Sequence, residues 1–445
     1  MPETDVLLRQ VFDAGVIGAG GAGFPTHKKL VDGAKLLVVN GAECEPLLAS
    51  DRYVMREYAD EIVAGIVTLA TRLRVPRVVI GTKRHYAREI AALRTAIAAT
   101  GASIEIAELD SFYPAGDEQV LIHEITGETV PPGGIPIQIG IIVVNVTTAL
   151  NIHRATRGIP VTRRFVTVTG EVRTPGIVDA PVGTSAEDLI AAAGGATVPS
   201  YAIVKGGPMM GKQFPMSAAA TQGFGKADSG LIVLPADHPL IEFGSQSMDR
   251  IMAQARSICI QCRLCTELCP RYLIGHQMRP HRVMRSVGTD THPTDLTDAL
   301  LCCECGVCEL FSCPMGLSPR RMNVHIKGML RAEGIGITDQ TIHPEFAVDF
   351  PYRHVAQSRL IERLRLGAYP TQLDGVSVYE PGAVLIPLRH GVGKPSVPRV
   401  AVGDRVGVGD VIADVDFADT GCVVHASIDG RVTSVTAAAI RIERG

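Results

Sequence analysis

Tryptophan is absent from this 445-residue chain, and aromatic residues of all kinds make up only 4% of it. A single-strand nucleic-acid binder stacks bases on ring faces, and too few are present here. An excess of positive charge is also lacking: 43 basic residues stand against 46 acidic ones, for a net charge of −3. That removes the basic field a duplex binder needs, so no nucleic-acid partner is expected. No apolar run reaches the about 18 residues of a membrane-spanning helix. The best candidate, residues 135–146, is broken by Pro136, Gln138 and Asn145 and reads as a buried strand. Residues 1–8 hold neither a basic segment nor a long apolar one, so no secretory signal is expected and the expected location is the cytoplasm. The dispersed cysteine pairs of a disulfide framework are missing as well. Nine of the 11 cysteines fall between Cys259 and Cys313, and such crowding in a reducing compartment points to metal.

Hydrophobic residues reach 46% and charged residues 20%, enough for packed cores over roughly three domains. Up to residue 160, strand-like runs (Lys35–Asn40, Arg77–Gly81, Ile104–Leu109, Ile139–Asn145) alternate with helical patterns at 4–14, 56–73 and 84–99. That alternation predicts a parallel α/β sheet. Over 161–215 the pattern turns β-branched (Phe165–Gly170), followed by a Thr174-Pro175-Gly176 turn, a short helix at 185–193 and a strand at 201–204, which is a small α+β module. Residues 245–335 are helical and interrupted by the cysteines. Residues 336–378 read as a linker, and 379–445 as short β runs between glycine turns, a small β sandwich. The predicted fold class is therefore multidomain, α/β plus α+β.

The first cysteine run is Cys259-x2-Cys262-x2-Cys265-x3-Cys269-Pro270, the spacing of a bacterial [4Fe–4S] ferredoxin. The second, Cys302-x2-Cys305-x2-Cys308-x4-Cys313-Pro314, carries one extra residue before its last cysteine. In two-cluster ferredoxins the fourth cysteine of each run serves the other cluster. By that rule Cys259, Cys262, Cys265 and Cys313 hold one cluster, and Cys302, Cys305, Cys308 and Cys269 hold the other. The alternative is a pair of structural zinc sites, which use separated CxxC pairs rather than triple runs ending in Cys-Pro. Of the other cysteines, Cys303 reads as a spare and Cys422 as core. Cys44 reads as structural, because Glu43 and Glu45 beside it would raise its pKa.

Gly18-x-Gly20-x-x-Gly23 matches the dinucleotide fingerprint by letter, but a helical pattern precedes it where the fingerprint needs a strand. A surface turn would explain it. So would a run of exposed backbone N–H groups suited to a phosphate, with Lys28 and Lys29 adding charge.

Together, Gly18–Thr26 with Lys29, and Asn40–Pro46, resemble the flavin-binding region of the respiratory complex I 51 kDa subunit. With the two cysteine runs, the chain is more similar to RnfC, a component of the Rnf electron-transport complex. It is most similar to the cobalamin reductases of propanediol-utilisation microcompartments. That likeness takes in Tyr113–Glu118, Val161–Arg164, Gly206–Gly211, Gln261–Thr266, Leu273–His276 and His425–Gly430. It implies an FMN/NADH-binding α/β domain over 1–160, a soluble-ligand-binding (SLBB) β-grasp module over 161–215, a two-cluster ferredoxin-like domain over 245–335 and a barrel-sandwich hybrid over 379–445. Carried over residue by residue, Gly18, Gly20, Gly21, Gly23 and Lys29 fall on the flavin loop and Phe24 beside the nicotinamide. Asn40, Glu43 and Glu45 fall on a second loop, Tyr113, Gly116, Asp117 and Glu118 on a third, and Asn145 and Thr148 on a fourth contact. The 51 kDa protein of complex I differs at Ala19, Ala42, Val144 and Asp117.

The resemblance implies an NADH-dependent oxidoreductase that uses FMN and two [4Fe–4S] clusters to reduce cobalamin. Its implied partners are cobalamin or a cobalamin-processing enzyme, microcompartment shell proteins or redox-complex subunits, and its implied setting extends to the interior of a microcompartment. Two alternatives stay open: an RnfC-like component of a membrane-associated redox complex, and a cluster-bearing scaffold without enzymatic activity.

Overall fold

The computed structural model describes residues 3–287 and 292–445. Near-continuous Val/Ile/Leu runs form most of the first sheet, as expected for strands covered on both faces, while one edge strand carries Glu105 and Glu108. The strands are β1 (Leu36–Gly41), β2 (Val78–Lys83), β3 (Glu105–Leu109) and, beyond a short β4 (Phe112–Tyr113), β5 (Ile141–Asn145). The sheet is all parallel, in the order β3-β2-β1-β5. Helices α1 (Glu3–Asp13), α2 (Ser50–Glu57), α3 (Ala59–Arg72), α4 (Ala87–Thr100), α5 (Glu118–Thr126) and α6 (Val146–Thr156) accompany it. The strand order reverses at β1, with β2 on one side and β5 on the other. A crevice therefore opens beyond the carboxyl ends of β1 and β5, where Asn40 lies opposite Asn145.

Two local expectations change. The single helix expected over 56–73 is α2 and α3, broken at Tyr58 (φ −123°, ψ 27°). The strand expected from Ile139 begins at Ile141, after a 3-10 turn over Pro136–Ile139 that ends in a left-handed Gly140. Pro136 has no N–H for a ladder, which favours the turn.

The second sheet contains β6 (Arg163–Gly170), β7 (Gly176–Pro181), β8 (Tyr201–Lys205), β9 (Lys212–Pro215) and β10 (Gly230–Pro235), with α7 (Ala186–Ala192) packed on it. It continues past residue 215: β10 lies between β6 and β8, and Val376–Val378 pairs with β7 at the edge. Helices α8 (Pro239–Gly244), α9 (Met248–Ile258), α10 (Leu264–Glu267), α11 (Pro270–Leu273), α12 (Pro280–Ser286) and α13 (Pro319–Ala332) carry the cysteine region.

The stretch 336–378, expected as a linker, is instead packed structure. It contains β11 (Val355–Ala356), α14 (Gln357–Arg363) and β12 (Val376–Val378), and buries Phe350, Leu360 and Leu366. β11 pairs with β4, Val355 opposite Tyr113. Its apolar residues lie in short pieces, such as the seven-residue α14, too brief for a period of 2 or 3.6 to stand out. The C-terminal region has β13 (Ala383–Pro387), β14 (Val397–Pro398), β15 (Arg405–Val406), β16 (Val411–Asp414), β17 (Val424–His425), β18 (Gly430–Val435) and β19 (Ala439–Glu443). They form two facing sheets, β13-β19-β18-β15 and β14-β16-β17, around a core that includes Ile386, Ile412, Val432, Ile440 and Cys422. Among the described residues no helix is long and apolar enough to cross a membrane.

Candidate functional site

The glycine loop lies over the crevice between β1 and β5, held by its ends and its carbonyls. Gly18 N–H donates to Phe24 O (2.8 Å), closing the loop. Ala19 N–H donates to the Thr148 hydroxyl on α6 (2.9 Å). Arg164 Nη2, from β6, donates to Ala19 O (2.7 Å), and Val392 N–H, from the C-terminal sandwich, donates to Ala22 O (3.2 Å). The N–H groups of Gly20, Gly21, Ala22 and Gly23 have no protein partner among the described residues. Gly20, Gly21 and Ala22 are exposed. Arg164 and Val392 thus hold two of the loop's carbonyls and Thr148 takes one amide, leaving those four amides as a run of backbone donors suited to a flavin phosphate. Gly21 (φ +107°) and Gly23 (φ +63°) take the left-handed region, and a Cβ on Gly23 would press into His390 O and Gly391 Cα. This loop fits FMN. Lys29, expected at the flavin, forms an ion pair with Glu118 (2.6 Å), and its ammonium lies 5.7 Å from the Phe24 ring centroid.

Asn40 and Asn145 close the strand ends. Asn40 Nδ2 donates to Gly116 O (2.9 Å), and its Oδ1 accepts from Ala42 N–H. Asn145 caps α6, accepting from Thr147 N–H, and donates to Asp51 Oδ2 (2.7 Å). Asp51 also accepts from the Thr147 hydroxyl (2.9 Å), and burial pushes its carboxyl upward. Burial, with Asp51 nearby, pushes Glu43 up to about 8. Burial pushes Glu45 up to about 7, opposed by its backbone hydrogen bonds, including the N–H of Met209 (2.9 Å). Burial raises the Cys44 thiol too, with Glu43 adding to the effect, so it is no nucleophile.

Carboxyls with raised native pKa values bind their protons more tightly folded than unfolded. The stability they give is complete below about 4.5 and is lost as pH rises through about 7 and 8. The thermal midpoint of the chain should therefore fall by roughly 3 °C or more between about pH 5 and about pH 8. Glu43→Gln with Glu45→Gln should flatten most of that slope in calorimetry; an unchanged slope would put the titration elsewhere.

The third loop faces the cysteine region as much as the crevice. Tyr113, fully buried, donates its hydroxyl to Cys305 O (2.7 Å). Gly116 packs so closely that a Cβ would stand 2.5 Å from Ala42 O. Asp117 caps α5, accepting from the N–H groups of Gln119 and Val120, and forms a bidentate pair with Arg271. The sequence motif places Asp117 on the flavin; its carboxylate is instead taken up by a helix start and a guanidinium.

The eight run cysteines gather into two quartets. Cys259, Cys262, Cys265 and Cys313 line one pocket, with Cys262 exposed. Cys269, Cys302, Cys305 and Cys308 are the inner set: Cys308 feels Cys302 and Cys269, and Cys305 feels Cys269 and Cys308. Cys308 also feels Cys265, so the quartets adjoin. Both runs trace the same path. Gln261 and Glu304, before the second cysteine of each run, have φ +57° and +64°; Arg263 and Gly306, after it, have +65° and +81°. Left-handed residues at matching places wind the backbone around a common centre, an anion-binding curl suited to a charged cluster. The extra residue of the second run is absorbed as a π turn. Where Leu268 N–H reaches back four residues to Leu264, Ser312 N–H reaches back five to Val307 (2.8 Å). Among the described residues no three His, Cys, Asp or Glu side chains converge on a single-ion position. Two sets of four thiols, with N–H groups approaching sulfur (Leu317 N–H to Cys313 Sγ, 3.4 Å), have the donor chemistry of cubane clusters.

The inner quartet adjoins the crevice. Met209 joins the two: its N–H binds Glu45, its O accepts from Arg320 Nη1 (2.9 Å), and it borders Gly306. Sequence reasoning did not single out Asp51, Arg271 or the His390–Gly391 turn as site residues, and Arg164 entered only as part of a motif. Arg271 carried one usable signal, a cation two residues after a ligand cysteine.

Residues 11–154 match the family model of the Nuo51 FMN-binding domain, 165–213 the SLBB domain, 258–318 the 4Fe-4S dicluster domain and 372–444 the RnfC barrel sandwich hybrid domain. Cobalamin reductase PduS of Salmonella typhimurium is 41% identical, covering 99% of this chain and 97% of the relative. The Citrobacter freundii cobalamin reductase PduS is 39% identical over 100% and 97%. The C component of the ion-translocating oxidoreductase complex of Pectobacterium atrosepticum is 35% identical over 62% of this chain and 38% of its own length. An NAD+-reducing [NiFe]-hydrogenase in the H2-reduced state superposes with a TM-score of 0.51 at 20% identity, over 79% of this chain and 68% of that one, a likeness of fold.

Proposed function

Since the chain belongs to the PduS cobalamin reductase family, we propose that it takes electrons from NADH and delivers them singly to oxidised cobalamin. Bound FMN supplies the exchange between a two-electron hydride donor and one-electron carriers, and bound clusters supply the one-electron relay. The observation that carries this reading is the adjacency of the amide cradle, the Tyr113 loop and the inner quartet. In the proposal, Gly20–Gly23 hold the flavin phosphate, with Gly18, Phe24, Lys29, Asn40, Asn145 and Thr148 around the ring system and donor. Glu43 and Glu45 hold protons near neutral pH beside it. Cys269, Cys302, Cys305 and Cys308 hold the inner cluster, and Cys259, Cys262, Cys265 and Cys313 the outer one, with Cys262 at the exit.

A cobalamin-processing enzyme is the proposed partner, and a microcompartment with its shell proteins the proposed setting. The coverage of the relatives supports this over an RnfC-like role: the reductases match over 97% of their length, the ion-translocating complex component over 38%. Anaerobically purified protein should carry about eight iron and eight sulfide per chain and roughly one FMN. Zinc without sulfide, or clusters without flavin after reconstitution, would overturn the reading.

A further inference from the structure

A buried bidentate ion pair ties the flavin side of the molecule to the inner quartet. Arg271 lies two residues after Cys269, in the turn opened by Pro270. Its Nη1 and Nη2 donate to Asp117 Oδ1 and Oδ2 at 2.6 and 2.9 Å, with the two side chains 11% and 16% exposed. Asp117 Oδ1 also accepts the N–H groups of Gln119 and Val120, each at 3.1 Å, so α5 holds it in place. Arg271 follows the quartet ligand Cys269 by two residues and interacts with Cys305 of the quartet and with the neighbouring non-ligand Cys303, where Asp117 opposes it. The other charges at that quartet include Lys327, which donates to Cys302 O and pairs with Glu304 (2.9 Å), and the Arg320–Glu309 pair.

An iron–sulfur cluster gains negative charge on reduction, and nearby net charge is one of the levers on its potential. An unpaired guanidinium would favour the reduced cluster, and in a site shielded from water the effect is strong. Asp117 offsets it. A helix cap alone would need neither the fork geometry nor a partner in the next domain.

We infer that Asp117 is a positioning residue for the inner cluster: by holding and neutralising Arg271 it sets the potential of the carrier next to the flavin, a role distinct from flavin or NADH contact. The inference rests on the inner quartet holding a cluster. The test is potentiometric EPR on the full chain loaded with FMN and clusters, with the inner signal identified by its loss in Cys269→Ala. Asn keeps the capping oxygen, so Asp117→Asn leaves the cation uncompensated, and the inner midpoint should shift upward. Arg271→Gln removes the cation, and the inner midpoint should shift downward. The outer signal should stay in place in both. Should Asp117→Asn not fold, the downward shift in Arg271→Gln decides. Unmoved midpoints, or shifts of the same sign in both variants, would reduce the pair to a strut and overturn the inference. If Cys269→Ala removes no signal that the wild-type chain shows, the cluster reading itself is overturned.

Discussion

Cys269→Ala should halve the iron of the purified chain, from about eight to about four per molecule, and bring NADH-driven cobalamin reduction to background. NADH-driven reduction of a dye that takes electrons directly from flavin should persist. The expectation follows from the crossing of the chain. Cys269 ends the first run in sequence, yet it lies with Cys302, Cys305 and Cys308, on the side of Tyr113 and the glycine crevice. Cys313→Ala should remove as much iron but from the outer site, leaving the inner EPR signal in place. If the quartets followed the sequence, Cys269→Ala would spare the inner signal and Cys313→Ala would abolish it. The two variants together therefore read the exchange of fourth ligands directly.

Gly23→Val should release the flavin. The residue sits at φ +63°, where a β-branched side chain costs on the order of 1–2 kcal/mol. Its Cβ would also collide with His390 O and Gly391 Cα, backbone that cannot move aside cheaply. The loop would have to leave the C-terminal sandwich, and with it the Val392 to Ala22 hydrogen bond that orients one carbonyl away from the cradle. FMN retained after gel filtration should fall by about tenfold or more, the equivalent of ~1.4 kcal/mol. Gly20→Ala is the contrast at the level of the fold. That position has no positive φ, and a Cβ there meets Asn145 at an ordinary 3.5 Å, so thermal stability should stay near wild type. Equal destabilisation in both variants would mean that the contact with His390 and Gly391 is not what shapes the loop.

The sequence and the structure agree where chemistry imposes spacing. Two CxxCxxC runs ending in Cys-Pro have the spacing of cluster ligands, and the structure places Cys313 beside the first run and Cys269 beside the second. The one-residue excess in the second run was legible as an anomaly, but its solution, a π turn at Val307–Phe311, was not. Strands β1 and β5 of the first sheet are legible because they are nearly continuous apolar runs. What stayed hidden depends on residues far apart in sequence. Nothing local marks Val392 as the donor to Ala22, or Arg164 as the donor to Ala19. Residues 336–378 read as a linker because their buried residues, among them Phe350, Leu360 and Leu366, lie in short elements that no long period marks. The Asp117–Arg271 pair is hidden for a related reason. The place of Asp117 in a flavin-loop motif was visible, while its partner Arg271 lies 154 positions away.

The proposed activity is conversion of one hydride donor into single-electron deliveries to cobalt. The most direct measurement is an anaerobic titration of the FMN- and cluster-loaded chain with NADH in the presence of aquacobalamin, followed by absorbance. NADH-dependent conversion of cob(III)alamin to cob(II)alamin is expected, with about two cobalamins reduced per NADH because a hydride carries two electrons. NADH consumption with a dye, but no change in the cobalamin spectrum when dye is replaced by aquacobalamin, would contradict it.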